Sequence, residues 1–323
     1  MTAWTRQKER GSLAALRLMT RIVFTLGWHV GYALLHPITA YFVLTAPAAQ
    51  RRAVRAYLAR ALGRAPGVRD VFRLYFVFAC TMLDRVFLLA GRSAGYAVEV
   101  VGLEPLDARL RQGQGVILLG AHLGSFEVLR VLAGANCPAE IHPMMYEENA
   151  RQADALFNAL DPARASSVIA LGRPDTMLRA QECLERGSII GLLGDRAPRG
   201  ERMLRVPFLG AEAPFPAGPH LLAHVLGAPV VLFFGLWRGP RRYELRFEPF
   251  AERIVLDRAN RTAALTEWAA RYAARLESLC RAHPYNWFNF YDFWGEFEAP
   301  PTPPPPSPAV PCSTADASAP PPR

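Results

Sequence analysis

The chain has 323 residues, 51% of them hydrophobic, with 37 Lys and Arg against 28 Asp and Glu for a net charge of +9. That length allows one large domain or two small ones, and five cysteines without paired spacing (Cys80, Cys137, Cys183, Cys280, Cys312) argue against a disulfide framework or zinc cluster and fit a reducing compartment. Lys8 is the only lysine, so arginine carries nearly all the positive charge and favours phosphate or carboxylate partners, while no recognisable motif points to nucleic acid.

Residues 1–21 are basic, and Ile22 to Thr45 then runs 24 residues without Asp, Glu, Lys or Arg. That is long enough to cross a bilayer, and too long, without a convincing cleavage site, for a signal peptide. Pro37 interrupts the run, and Arg51, Arg52 and Arg55 follow it, so positive charge on both flanks sets no orientation. The reading is a membrane-embedded helix or re-entrant hairpin with cytoplasmic flanks; a single span and a buried hydrophobic helix are the alternatives. Helices are expected at 50–62 and 68–91. In the second, Asp84-Arg85 is either catalytic support or a solvated edge, and the edge is preferred because adjacent helical residues do not face each other.

From Tyr96 the pattern alternates. Strands are expected at Ala97–Val101, Val116–Leu119, Ile141–Met144, Ser188–Leu193, Val230–Leu236 and Tyr243–Phe247. Helices are expected at Ser125–Leu132, Asn149–Leu160, Asp175–Arg186, Gly218–Leu226 and about Thr262–Ala282. This predicts an α/β fold, a mostly parallel sheet flanked by helices, behind an N-terminal hydrophobic membrane-associating helical region. The domains are drawn at 1–92 (membrane-associating helices), 93–298 (α/β domain) and 299–323. The last piece has 11 prolines in its 25 residues and reads as disordered.

The stretch with chemistry is Gly120-Ala-His-Leu-Gly-Ser-Phe-Glu127, at a strand-to-helix turn. With His122 just outside the helix, its ring is expected to fold onto the Glu127 carboxylate. Such a contact fixes the tautomer and raises the basicity a general base needs. Gly194-Asp195-Arg196 ends another apolar strand, and strand ends are where such sheets gather their sites. Turn amides at Gly124 and Ser125 are candidate oxyanion donors. His220 and His224 share a helical face, but Leu221 stands where a zinc protease has Glu, so no metal site is assigned. Seven of the ten residues from Tyr285 to Trp294 are aromatic, either as packed core or as an interfacial belt.

The block Gly120–Glu127 resembles the signature of the lysophospholipid acyltransferase superfamily, and more closely its bacterial branch of late lipid A acyltransferases. Gly191-Leu-Leu-Gly-Asp-Arg196, Val206-Pro-Phe-Leu-Gly210 with Phe215-Pro-Ala-Gly-Pro219, Ala228-Pro-Val230 and the aromatic ending follow in the matching order. Ser125-Phe126 stands where lipid A enzymes usually carry Asn-Trp, which leaves the acceptor open. The resemblance implies an O-acyltransferase that moves a fatty acyl group from acyl carrier protein or coenzyme A to a hydroxyl of a lipid or glycolipid. It implies catalytic His122 and Glu127 and substrate contacts at Gly124, Ser125, Asp195, Arg196, Phe208, Gly210 and Gly218, with no cofactor beyond the acyl thioester. It also implies membrane lipids as partners and the cytoplasmic face of the bacterial inner membrane as location. A lipid or thioester hydrolase and a non-catalytic lipid-binding protein are the competing classes.

Overall fold

The structure, a computed structural model, describes residues 13–129, 139–146, 157, 159–160, 167–196 and 200–295. The expected helix at 149–160 lies mostly outside these residues, as do positions 130–132 of the one expected from Ser125 and the whole proline-rich tail.

Among the described residues nine strands form two sheets. They are β1 (Ala97–Val101), β2 (Val116–Gly120), β3 (Ile141–Met145), β4 (Ile169–Ala170), β5 (Ile189–Leu193), β6 (Met203–Phe208), β7 (Ala211–Pro216), β8 (Val230–Gly239) and β9 (Arg242–Ala251). Seven of them build one sheet in the order β1-β9-β8-β2-β5-β3-β4, while β6 and β7 pair as a separate antiparallel hairpin. Only the β8–β9 pairing in the large sheet is antiparallel. The mostly parallel sheet is therefore as expected.

β2 sits in the middle, and all five of its residues are buried. Ile117 and Leu119 join one core cluster and Val116 and Leu118 another, so both faces are covered and the strand reads as continuous apolar sequence. The first face is covered by α6 (Thr176–Glu185), α7 (Gly218–Leu226), α8 (Arg261–Ala282) and the aromatic ending; the second by α5 (Glu104–Arg111) and the Val128–Leu129 turn.

The apolar stretch after residue 22 is not one helix. α1 (Leu13–Leu26) stops at Gly27, whose φ of 87° is a left-handed conformation open to glycine, and α2 (Trp28–Leu44) restarts the chain. Pro37 lies inside α2 without ending it, and α3 (Ala48–Leu62) follows at 108°. Among the described residues no single helix is long and apolar enough to cross a membrane; the bent α2–α3 pair passes by length and composition. α2 packs Trp28 and Leu35 against Phe76, Leu83 and Phe87 of α4 (Val68–Leu89).

Asp84 on α4 is not solvated. It has no exposed surface and accepts hydrogen bonds from Trp28 Nε1 (2.7 Å), the Tyr96 hydroxyl (2.7 Å) and the Tyr243 hydroxyl (2.8 Å). Burial pushes its carboxyl upward, and those three donors with the charge of Arg241 oppose the rise. One carboxylate thus joins α2, α4, the entry to β1 and β9. Asp84→Ala leaves three buried donors without an acceptor, and the expected destabilisation is about 3 kcal/mol or more. Asp84→Asn keeps an acceptor oxygen and is expected to lose less. Denaturant unfolding of both variants checks this; an Ala variant as stable as wild type would refute it.

Candidate functional site

β2 and β5 are parallel neighbours with Gly120 in register with Leu193, so the two turns that follow them leave the same edge of the sheet. The first carries His122 and the second Asp195 and Arg196, which meets the expectation of one shared edge. The Tyr272 hydroxyl of α8 donates to the Gly120 carbonyl (2.7 Å), and the Gly194 amide donates to the same oxygen (2.9 Å), pinning both strand ends.

The imidazole is held by a different carboxylate from the one expected. His122 Nδ1 lies 2.8 Å from Asp195 Oδ1, and the His122 backbone amide donates to both Asp195 oxygens at 3.1 Å. Trp287 Nε1 donates to Asp195 Oδ2 at 3.0 Å, and Arg196 Nε stands 3.7 Å from that oxygen. Glu127, in the first helical turn, pairs instead with Arg85 of α4 at 2.7 Å. No hydrogen bond or ion pair joins it to His122 among the described residues. The spacing had placed Glu127 within reach, but Asp195, 73 residues on, arrives on the adjacent strand and takes the ring nitrogen.

The charges follow from this packing. Burial alone would raise the Asp195 carboxyl, yet the His122 ring, Arg196 and the Trp287 indole hold it well below the usual carboxylate range. For His122, close packing and the Arg196 charge lower the pKa, and Asp195 works in the opposite direction. The imidazole therefore stays neutral near pH 7, while 34% of its side chain remains exposed. Nδ1–H donating to the carboxylate leaves Nε2 as the basic nitrogen.

Other expected residues have backbone or packing duties. The amides of Gly124 and Ser125 donate to Asn286 O (2.8 Å) and Gly235 O (2.7 Å), so neither is available as an oxyanion donor. Gly124 has φ of 71°, and a Cβ there would lie 1.9 Å from the Gly235 carbonyl, which requires glycine for contact reasons. Arg196 is committed to the fold, with Nη2 donating to Phe288 O at 2.5 Å and its guanidinium over the Tyr291 ring. Phe208 is fully buried among Trp287, Phe215, Phe293 and Trp294, one layer beneath Asp195. Gly210, at φ 80°, turns the β6–β7 hairpin, and Gly218 N donates to Glu201 Oε1 (2.9 Å) at the start of α7.

His220 is buried beside Phe250 and Tyr272, where desolvation lowers its pKa to about 4, and His224 Nδ1 bonds the Ile254 carbonyl (3.0 Å). The aromatic ending is largely core, with Trp287, Phe288, Phe293 and Trp294 buried. It also reaches the site. Leu123 bridges to Trp287 and the Phe288 amide donates to the His122 carbonyl (3.1 Å). Trp287 was thus missed as a site residue; its only sequence signal was membership of the aromatic run.

A neutral imidazole braced by a buried carboxylate, at the carboxyl ends of adjacent strands, defines an α/β protein built for acid–base chemistry at its sheet edge. Residues 19–295 match the model of the bacterial lipid A biosynthesis acyltransferases, and the chain belongs to that family. At this coarse level it is a lipid acyltransferase. No curated protein matches the chain.

Proposed function

We propose that the protein transfers a fatty acyl group from an acyl thioester, on carrier protein or coenzyme A, to a hydroxyl of a lipid or glycolipid. The observation that carries this reading is the Asp195–His122 pair. His122 Nε2 takes the acceptor's hydroxyl proton as the oxygen attacks the thioester carbonyl. The tetrahedral intermediate then expels the thiolate, which takes that proton back from the imidazolium, giving ester and thiol without an acyl-enzyme. Asp195 keeps the proton on Nδ1 and stabilises the transient cation. Glu127 acts from a distance: its pairing with Arg85, whose guanidinium sits 3.9 Å from the Phe157 ring centroid, ties the first helical turn to α4.

Docking to the cytoplasmic face of an inner membrane fits the N-terminal helices. Leu18, Leu26, Tyr41 and Leu44 are each at least 60% exposed, an arrangement suited to a lipid surface.

The test supplies acyl thioester with and without a lipid alcohol in mixed micelles and follows thiol release and ester formation by mass spectrometry. Ester formation that requires the alcohol is expected. Equal thiol release without any alcohol would make the protein a hydrolase instead.

A further inference from the structure

A concavity of about 340 Å³ lies between α4, the end of β8 and the 282–286 segment. Its charged wall is cationic. Arg73 stacks on the Tyr285 ring at 4.5 Å, and Arg238 Nη1 lies 2.9 Å from His283 Nδ1. Trp237 lines the same basin.

Nearby carboxylates neutralise this wall only in part. Asp70 is taken by two bonds from Arg64 (2.8 and 3.0 Å), one from the Gly67 amide (2.8 Å) and one from the Tyr285 hydroxyl (2.7 Å). Among the described residues no carboxylate pairs with Arg73. Glu244 bonds Arg246 at 2.6 Å and stands 3.6 Å from Arg238, so one acid serves two arginines. His283, facing Arg238, Arg246 and Glu244, is held neutral first by burial and then by the Arg238 charge.

We propose that this basin is a binding site for a phosphate group, held by Arg73 and Arg238 beside the Trp237 side chain. Phosphate is the anion that several converging N–H donors match best. The cavity's size falls within the range of ligand pockets and leaves room for more than the phosphate itself. Asn286 links the basin to the catalytic turn. Its side chain clamps the Trp237 backbone at 2.7 and 3.2 Å, and its carbonyl accepts from Gly124 N. The inference goes beyond acyl transfer and does not depend on it.

The experiment follows the Trp237 indole N–H resonance of the full chain, assigned with Trp237→Phe, during titration with inorganic phosphate. A parallel arm uses a lipid phosphomonoester in detergent micelles, with the dephosphorylated lipid and acetate as controls at matched ionic strength. Saturable shifts with phosphate and not acetate are expected. Arg73→Gln and Arg238→Gln should each weaken binding about tenfold, and both positions are exposed, so thermal midpoints should hold. His122→Ala should bind phosphate normally, which separates this site from the catalytic reading. Response to free phosphate assigns a small-anion site, and response to the lipid phosphomonoester alone assigns a headgroup site. No shift in either arm, or equal affinity in the double Gln variant, overturns the proposal.

Discussion

His122→Ala is expected to abolish nearly all acyl transfer, with a loss of roughly 10²- to 10⁴-fold in kcat and little change in stability. The ring is one-third exposed, and buried Asp195 loses the Nδ1 contact but keeps the His122 backbone amide and the Trp287 indole as donors, so the thermal midpoint should fall only modestly. The pH profile gives a second check. Packing and the Arg196 charge place the His122 pKa below its ordinary value near 6.5. A general base works in its neutral form, so kcat/KM should rise with pH through an inflection below that value and then stay level across neutrality. An inflection well above it would mean that another group is the base. A variant retaining most of its rate would remove His122 from the mechanism altogether.

How much of this could be read from the sequence depended on the range of the signal. β2, β3, β5, β8 and α7 were legible because apolar runs and helical spacing report burial within a dozen residues. β6 and β7 were not, since Pro207, Pro214 and Pro216 argue against a strand; the hairpin tolerates them because it lies outside the main sheet. Gly27 was read through, because an apolar stretch does not reveal a left-handed break.

At the site, His122 was legible from its turn, but its partner was not. Local spacing nominated Glu127, and only the β2–β5 pairing brings Asp195 to the ring. Asp84 and Glu127 misled for the same reason. Each is an acid on a helix whose buried partners come from remote elements, Tyr243 for one and Arg85 for the other.

The identity of the imidazole's partner sets the other large effect. Asp195→Asn keeps the shape of a side chain with no exposed surface but replaces a double acceptor with an amide. The Trp287 indole and the His122 backbone amide still claim its remaining oxygen. The amide N–H₂ then faces Nδ1, which favours the tautomer with the proton on Nε2 and removes the base. The expected loss in kcat is on the order of 10³- to 10⁴-fold, the scale seen when a triad aspartate elsewhere is made asparagine. Nitrogen-15 NMR of the histidine ring reads the tautomer directly and distinguishes positioning from mere loss of structure. Glu127→Gln should leave that tautomer unchanged and act mainly on stability, because it removes a buried negative charge that pairs with the largely buried Arg85. If Glu127→Gln switches the His122 tautomer while Asp195→Asn does not, Glu127 is the orienting carboxylate and the contact between Nδ1 and Asp195 is only structural.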